Sequence, residues 1–219
     1  MIEIKGVTKQ FKNETAIDYR DITFEDGKSY MLLGASGCGK STLLNMIAGI
    51  LSPERGEIVI DGRVMSSLPQ REKDKFRIEK IGYIFQDFKL MKDRTVYENV
   101  AIAKRIVGAK ERDIRPQVAM ALRVVGMEDA FYRPVSELSG GEQQKVCVAR
   151  AIVGNPYCIL ADEPTGNLDP RQAREIMLLL ERINGLGITT LIATHDREAI
   201  EGMEYQRLYL ADGRLHSGE

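Results

Sequence analysis

One glycine-rich stretch constrains this 219-residue chain more than any other feature: Gly34-Ala35-Ser36-Gly37-Cys38-Gly39-Lys40-Ser41. Two of its glycines, Gly34 and Gly39, are separated by four residues, and a lysine and a serine follow directly. An apolar run at residues 30–33 precedes the stretch, and apolar residues at helical spacing follow it over residues 42–48. The stretch therefore joins a strand to the N-terminus of a helix, where free backbone N–H groups and the helix dipole bind phosphate.

The polar side chains of this loop have separate predicted roles. Lys40 would reach the β- and γ-phosphates of a nucleotide, and the Ser41 hydroxyl would ligate Mg²⁺. The other loop residues that we expect to contact the nucleotide are Gly34, Ser36, Gly37, Cys38, Gly39 and Thr42. The alternative is an ordinary glycine-rich turn with a solvated lysine. The strand before the loop and the helix after it favour phosphate binding.

Composition and charge exclude several other classes of protein. The chain has 31 Lys and Arg residues against 32 Asp and Glu, with no block of like charge, so a surface for nucleic acid is not indicated. Its three cysteines have no metal-like spacing and indicate reduced thiols in a cytosolic protein. No apolar stretch approaches the ~20 residues that a membrane span needs. Any membrane role would therefore depend on a partner.

Two further candidate residues lie in the first half of the chain. The first 33 residues read as short strands of an antiparallel β layer, in which Phe11 would stack on an adenine ring or close a turn. Residues 81–85 read as a buried strand that ends at Gln86. Ligands bind at the carboxyl ends of strands in open parallel sheets, so Gln86 would reach a metal ion or the γ-phosphate. The alternative for Gln86 is a loop position without a role.

Helical patterns replace strand patterns from residue 87 to residue 155. We therefore expect one nucleotide-binding domain over residues 1–219, in which residues 1–86 and 156–219 form a core with its β subdomain and residues 87–155 form a helical subdomain. Inside the helical part, a second loop suited to phosphate opens a helix: Ser139, Gly140, Gly141 and Glu142. The alternative is an ordinary helix start, because Ser139 and Glu142 match a capping box.

A pair of acidic residues follows a predicted buried strand at residues 157–161. Asp162 would hold Mg²⁺ through its ligand shell, and Glu163 would orient or polarise the attacking water. A last buried strand, at residues 188–193, leads to His195, which would contact the γ-phosphate at the same sheet edge. We expect His216, near the end of the chain, to be solvated.

Taken in order, these motifs resemble the nucleotide-binding subunit of ATP-binding cassette (ABC) proteins, and the resemblance covers essentially the whole chain. It implies an α/β fold of the P-loop NTPase class, with a RecA-like core sheet, a small antiparallel β subdomain and an inserted α-helical subdomain. It also implies ATP and Mg²⁺ as cofactors. The implied catalytic residues are Lys40, Gln86, Glu163 and His195, and the implied metal ligands are Ser41, Gln86 and Asp162.

The same resemblance implies a homodimer that forms head to tail on ATP binding. The residues that would close on the partner subunit's ATP are Ser139, Gly140, Gly141 and Glu142. Asp169 would lie at the subunit interface, and Phe11 would be the adenine-stacking aromatic. Glu142 stands where the commonest signature has Gln, and Cys38 stands where the loop often has Ser; neither difference argues against ATP binding.

Residues 86–101 resemble the cell-division member of one branch of the family, which also includes ATPases of lipoprotein release and of macrolide and peptide export. This resemblance implies an integral membrane partner and a cytoplasmic location on the inner face of the cell membrane, reached through that partner. We expect an exposed apolar patch to receive the partner, formed by Phe88, Leu90, Met91 and Val96.

Two other kinds of cassette are disfavoured. Soluble cassette ATPases of DNA repair carry very long coiled coils, and those of translation carry two cassettes. Only about a hundred residues separate the two loops here, and no motif repeats. A degenerate cassette that binds ATP only to signal is disfavoured because the reactive side chains are all present: Lys40, Asp162, Glu163 and His195.

Overall fold

The computed structural model describes residues 1–10, 17–196, 198–211 and 214–217. The strands in this part are β1 (Ile2–Lys9), β2 (Ile17–Tyr19), β3 (Ile22–Phe24), β4 (Ser29–Leu33), β5 (Arg55–Ile60), β6 (Arg63–Val64), β7 (Ile81–Ile84), β8 (Cys158–Asp162), β9 (Thr189–Thr194), β10 (Gln206–Ala211) and β11 (Arg214–Ser217). The helices are α1 (Lys40–Ile47), α2 (Gln70–Lys80), α3 (Val96–Ile106), α4 (Glu111–Val124), α5 (Gly140–Ile152) and α6 (Pro170–Asn184), with 3₁₀ turns at Glu128–Ala130 and Val135–Glu137. None of the helices in the described ranges combines the length and the apolar character needed to cross a membrane.

Five parallel strands form the core of the sheet, in the order β10, β4, β9, β8, β7. Leu33 at the end of β4 pairs with Thr194 of β9, and Ala193 of β9 pairs with Asp162 at the end of β8. The carboxyl ends of these three strands therefore lie side by side. This arrangement confirms the α/β class and the parallel core that the sequence predicts.

The other strands extend this sheet as a mainly antiparallel layer. β1 pairs with β2, β3 and β5, and β5 pairs with β6, all in antiparallel orientation. β10 and β11 pair antiparallel, and β11 meets β2 in parallel at Arg214 and Asp18. The antiparallel layer predicted near the N-terminus is thus confirmed. Phe11, the predicted adenine-stacking residue, lies outside the described residues.

Side chains of the central strands alternate between two hydrophobic clusters. Met31 and Leu33 of β4 pack into the cluster that contains residues of α3 to α6. Tyr30 and Leu32 pack into the other cluster, with α1 and the antiparallel layer. A parallel strand that is covered on both faces reads as an unbroken apolar run, which explains why residues 30–33 show no polar alternation.

The helices α3, α4 and α5 lie between β7 and β8 in the chain, as the helical patterns predict. The subdomain bounds at residues 87 and 155 stay a prediction. Val96 begins α3 and is fully buried, so its predicted place in an exposed docking patch is wrong. Phe88 and Leu90 are half-buried and pack against the hydrophobic cluster that contains residues of α3 to α6.

One fully buried amide, that of Asn99, organises the loop before α3. Its Oδ1 accepts the N–H of Met91 at 2.7 Å. Its Nδ2 donates to the carbonyl oxygens of Met91 at 3.0 Å and Thr95 at 2.9 Å. A single side chain therefore satisfies three backbone groups of this loop.

The replacement Asn99→Leu keeps the size of the side chain but leaves the N–H of Met91 without its acceptor. The carbonyl oxygens of Met91 and Thr95 lose the side-chain donor but still accept the backbone N–H groups of Arg94 and of residue 99. We expect the free energy of unfolding to fall by about 1–3 kcal/mol, which is the cost of one buried unsatisfied polar group. Urea unfolding followed by circular dichroism measures the change. Gln117→Leu, at an exposed position of α4, is the matched control and should change the stability by less than ~0.5 kcal/mol. Equal stabilities of the two variants would show that the Asn99 hydrogen bonds contribute nothing.

Candidate active site

The glycine-rich loop runs from β4 into α1, and two of its glycines lie where no side chain fits. A Cβ on Gly34 would collide with the backbone carbonyl of Leu210, and a Cβ on Gly39 would lie 2.7 Å from Cδ1 of Ile17. Gly39 also has a φ of 110°, a conformation that side chains with a Cβ rarely adopt. The loop backbone therefore packs closely on its neighbours at these two glycines. Neither glycine has a side chain that would cover the backbone N–H groups of the loop.

Lys40 is the first residue of α1 and is only 5% exposed. Its Nζ donates to the carbonyl oxygens of Gly34 at 2.9 Å and Ala35 at 3.2 Å. The same ammonium group lies 3.5 Å from Oε1 of Glu163. A full positive charge thus lies inside the loop, next to the acidic end of β8.

Ser41 and Asp162 form the second contact between the loop and β8. Ser41 Oγ donates to Asp162 Oδ1 at 2.8 Å. Burial raises the pKa of Asp162, and the negative charge of Glu163 raises it further. The Ser41 hydrogen bond and the positive charge of Lys40 act in the opposite direction, but the pKa stays raised. The hydroxyl and the carboxylate are hard oxygen ligands of the kind that Mg²⁺ prefers.

These two oxygen ligands would form only part of a metal shell. Within residues 1–10, 17–196, 198–211 and 214–217, no group of three or more His, Cys, Asp or Glu side chains is placed to hold a metal ion. Mg²⁺ commonly takes one or two protein ligands and completes its shell with phosphate oxygens and water. The Ser41–Asp162 pair therefore fits a Mg²⁺ that arrives with a nucleotide.

Glu163 follows β8 directly, and its side chain is 11% exposed. Its Oε2 lies 2.9 Å from Nδ1 of His195 and accepts the backbone N–H of His195 at 3.3 Å. The φ of Glu163 is 46°, a left-handed conformation that costs a non-glycine residue about 1–3 kcal/mol. Such a conformation persists only where the neighbours hold it, so this carboxylate is fixed between Lys40 and His195.

Gln86 follows β7 by two residues and has an exposed side chain. Its carbonyl oxygen accepts a hydrogen bond of 3.1 Å from Nδ2 of Asn167, four residues beyond Glu163. The structure thus connects Gln86 to the site through the backbone. The predicted residues that it brings into direct contact are Lys40, Ser41, Asp162, Glu163 and His195.

The second predicted phosphate loop begins α5, and its capping box is present. Ser139 Oγ accepts the N–H of Glu142, and the Glu142 carboxylate accepts the N–H of Ser139 at 2.8 Å. This interaction lowers the pKa of Glu142. The N–H groups of Gly140 and Gly141 have no acceptor inside a helix that starts here, so capping and phosphate binding are compatible. Binding of a nucleotide by this loop stays a prediction.

The predicted interface residue Asp169 has a local role as well. It precedes α6, and its Oδ1 accepts the N–H of Gln172 at 2.9 Å. The side chain of Gln172 in turn faces Gly141, where a Cβ would lie 3.1 Å from its Cδ. The start of α6 and the start of α5 are therefore neighbours, and Asp169 is exposed beside them.

Two residues that support the site escape prediction from the sequence. The hydroxyl of Tyr19 in β2 donates to the carbonyl oxygen of Gly39 at 2.7 Å, and burial raises the pKa of Tyr19, which keeps the phenol a neutral donor. Nε2 of Gln144 in α5 donates to the carbonyl oxygen of Pro164 at 2.7 Å. Each contact joins residues that are 20 positions apart. No local pattern distinguishes Tyr19 from a core aromatic, or Gln144 from a surface glutamine.

A family profile described as ABC transporter matches residues 18–166. The match covers more than half of the chain, so the chain belongs to the ABC transporter family. With its loop lysine, acidic pair and histidine at one sheet edge, it is an ATP-hydrolysing subunit of the ABC type.

Among curated proteins, the chain is similar to those called cell division ATP-binding protein FtsE. It is 45% identical to the one from Escherichia coli (strain K12) over 219 residues, which cover 100% of this chain and 98% of that protein. It is 42% identical to the one from Mycobacterium tuberculosis over 217 residues, 98% of this chain and 94% of that protein. A solved dimeric ATP-binding cassette, in a post-hydrolysis state bound to ADP and Pi, matches with a TM-score of 0.87 and 34% identity, covering 100% of this chain and 98% of that one.

Cys38 offers a direct test of nucleotide binding. It lies in the loop and is partly exposed, whereas Cys147 and Cys158 are buried, and burial raises the pKa of each of these two thiols to about 12. We expect iodoacetamide to label Cys38 and Mg-ATP to protect it, because a phosphate held by the loop would cover the thiol. Peptide mapping measures the labelling, with Cys147 and Cys158 as slow internal controls. Equal labelling of Cys38 with and without Mg-ATP would argue against nucleotide binding by this loop.

Proposed function

We propose that this ATPase works as a head-to-tail homodimer and drives an integral membrane partner of the FtsX type in cell division. The observation that carries the ATP chemistry is the contact between the loop and the acidic strand end, where Lys40 meets Glu163 and Ser41 meets Asp162. The cell-division role is supported by similarity over nearly the whole chain to two proteins named cell division ATP-binding protein FtsE.

In this proposal the loop backbone and Lys40 hold the β- and γ-phosphates of ATP. Ser41 and Asp162 hold Mg²⁺, with Gln86 approaching from the end of β7. A Mg²⁺ held there would supply positive charge that offsets part of the charge of the phosphates. Phe11 remains the candidate for stacking on the adenine ring.

Glu163 is the proposed general base. Its carboxylate lies 3.5 Å from the ammonium group that would bind the γ-phosphate, so a water next to that phosphate would be within reach of the carboxylate oxygens. His195 orients the other carboxylate oxygen through its Nδ1 contact of 2.9 Å. The His195 side chain is 62% exposed, which leaves the far side of the ring accessible to a phosphate oxygen.

The amide variant Glu163→Gln tests this role. We expect ATP binding to persist and turnover to fall by roughly 10²–10⁴-fold, because an amide cannot accept the proton of the attacking water. The variant should accumulate as an ATP-bound dimer, which light scattering measures. Glu201→Gln, the same change at an exposed position outside the site, is the control. Full hydrolysis by Glu163→Gln, or a monomer in the presence of ATP, would contradict the assignment.

The homodimer is proposed because the two candidate phosphate loops belong to different parts of the chain. One begins α1 at the edge of the core sheet, and the other begins α5 among the inserted helices. A head-to-tail pair places the second loop of each chain on the nucleotide of its partner. The similarity to a solved dimeric cassette supports this arrangement. The residues of each chain at that interface would be Ser139, Gly140, Gly141, Glu142 and Asp169.

The proposed docking site for the membrane partner is a groove of about 280 Å³ next to β7 and α3. Its apolar lining includes Phe85, Ile102, Ile106 and Val107. Ile106 is 61% exposed and Val107 is 38% exposed. Phe85 directly precedes Gln86, so a segment of the partner in this groove would lie beside the proposed γ-phosphate contact. Docking there would hold the chain on the inner face of the cell membrane.

The variant Ile106→Glu tests this groove. Ile106 is exposed in the free protein, so the glutamate stays solvated there, whereas docking would bury the charge and therefore be lost. We expect the membrane partner to copurify with the unchanged protein and not with Ile106→Glu. Met120→Glu, at a 59% exposed position of α4, is the matched control and should copurify normally. Protection of Cys38 by Mg-ATP checks that both variants still bind nucleotide.

Complementation in depleted cells then separates the cellular roles. In the cell-division role, depletion gives filaments or unseparated septa, Met120→Glu restores division, and Ile106→Glu does not. Normal septation with mislocalised lipoproteins or macrolide sensitivity would instead favour an exporter subunit. Normal copurification of Ile106→Glu would contradict the groove and leave the ATPase assignment intact.

A further inference from the structure

We propose that Gln144 is a positioning residue for Glu163. It holds the backbone that carries the proposed catalytic carboxylate and ties this backbone to α5, the helix that begins at the second phosphate loop. The inference rests on the proposed function, because it assumes that Glu163 activates water and that Ser139 meets the partner's nucleotide. Gln144 itself lies outside the set of side chains that would touch ATP.

The contact that carries this proposal is a buried hydrogen bond. Gln144 is 1% exposed, and its Nε2 donates to the carbonyl oxygen of Pro164 at 2.7 Å. Pro164 is also buried, and its carbonyl is its only polar backbone group because proline has no N–H. Water does not compete at such a site, so the hydrogen bond fixes the position of Pro164 relative to α5.

Pro164 follows Glu163, whose backbone needs external support. A residue before proline favours an extended conformation, yet the φ of Glu163 is 46°. The core supplies part of the restraint, since the N–H of Glu163 donates to Ala193 at 2.8 Å and its carbonyl accepts from Gly166 at 3.2 Å. Gln144 adds a restraint from the inserted helices. A strained residue persists only when such contacts over-determine it.

The other end of the Gln144 amide makes no hydrogen bond to the described residues. Gln144 Oε1 is buried without a hydrogen-bond partner among the described residues, and so is Oγ1 of the neighbouring Thr165. Unsatisfied buried acceptors are destabilising, and an apolar residue of the same shape would remove one of them. The satisfied part of the buried amide is its donor to Pro164, and an apolar residue would leave that carbonyl oxygen without this donor.

The same helix connects Gln144 to the second phosphate loop. Ser139 caps α5, and Gln144 lies in its second turn. Between them, Gly141 packs on Gln172 at the start of α6. A shift of α5 when its first turn meets the partner's nucleotide would therefore move Pro164, and with it Glu163. In this way a nucleotide bound at one site would change the position of the Glu163 carboxylate at the other site.

The variant Gln144→Met removes the donor and keeps the length of the side chain. We expect kcat for ATP hydrolysis to fall by about 10–100-fold, because a misplaced base loses rate steeply with distance. The KM for ATP should stay within about twofold, because the phosphate contacts are unchanged. Gln117→Met, the same change at an exposed site of α4, is the control and should keep both constants. Gln144→Leu, a second apolar replacement, should show the same split between kcat and KM.

A double variant separates positioning from a general structural role. If Gln144 acts through Glu163, Gln144→Met adds no further loss of turnover in the Glu163→Gln background. The double variant should also form the ATP-dependent dimer to the same extent as Glu163→Gln alone. A further fall in turnover, or loss of the dimer, would mean that Gln144 supports the fold as a whole and would overturn the inference.

Two results distinguish the failure of this inference from failure of the proposed function. Unchanged kcat in both Gln144→Met and Gln144→Leu overturns the positioning role, and so does a parallel fall in kcat, ATP affinity and melting temperature. The proposed function stands in those cases as long as Glu163→Gln loses turnover and accumulates as a dimer. Full activity of Glu163→Gln would remove the basis of both.

Discussion

The pairing of β9 with β4 on one side and with β8 on the other is the constraint on which the rest of the site depends. Parallel strands in register end at the same edge of the sheet, so the loop after β4 and the acids after β8 meet there. Neither segment is close to the other in sequence, since Ser41 and Asp162 are 121 positions apart. The pairing therefore converts two separate motifs into one phosphate-binding and acidic site.

The charged side chains at this edge contact one another, and one of them, Glu163, has a strained backbone. Lys40 lies between loop carbonyl oxygens and the Glu163 carboxylate, and His195 holds the opposite side of that carboxylate. The contacts from Lys40 and His195 restrain Glu163, whose backbone is left-handed and therefore unfavourable by itself. Strain of this kind is typical of sites that must hold one reactive group in one place. The chemistry proposed for Glu163 needs that precision.

The helix α5, one of the inserted helices, contacts the backbone near the site at two points. Gln144 contacts the backbone beside Glu163, and Arg150 donates to the carbonyl oxygens of Phe88 at 2.7 Å and Lys89 at 2.6 Å. Phe88 and Lys89 both have positive φ, at 46° and 51°, and they follow Gln86 closely. One helix thus supports strained backbone next to the proposed base and next to the proposed γ-phosphate contact. A motion of α5 would therefore shift both backbone segments.

The sequence by itself determined the loop, the buried strands around it, the acids at a strand end and the helical insertion, because each depends on local spacing and periodicity. The roles of individual side chains, including Gln86, His195 and Asp169, stay predictions. Only the tertiary structure decided that β9 separates β4 from β8, that Tyr19 supports Gly39, that Gln144 supports Pro164, and that Val96 is buried. These features depend on contacts between residues far apart in the chain, and local sequence patterns carry no information about which distant groups pack together.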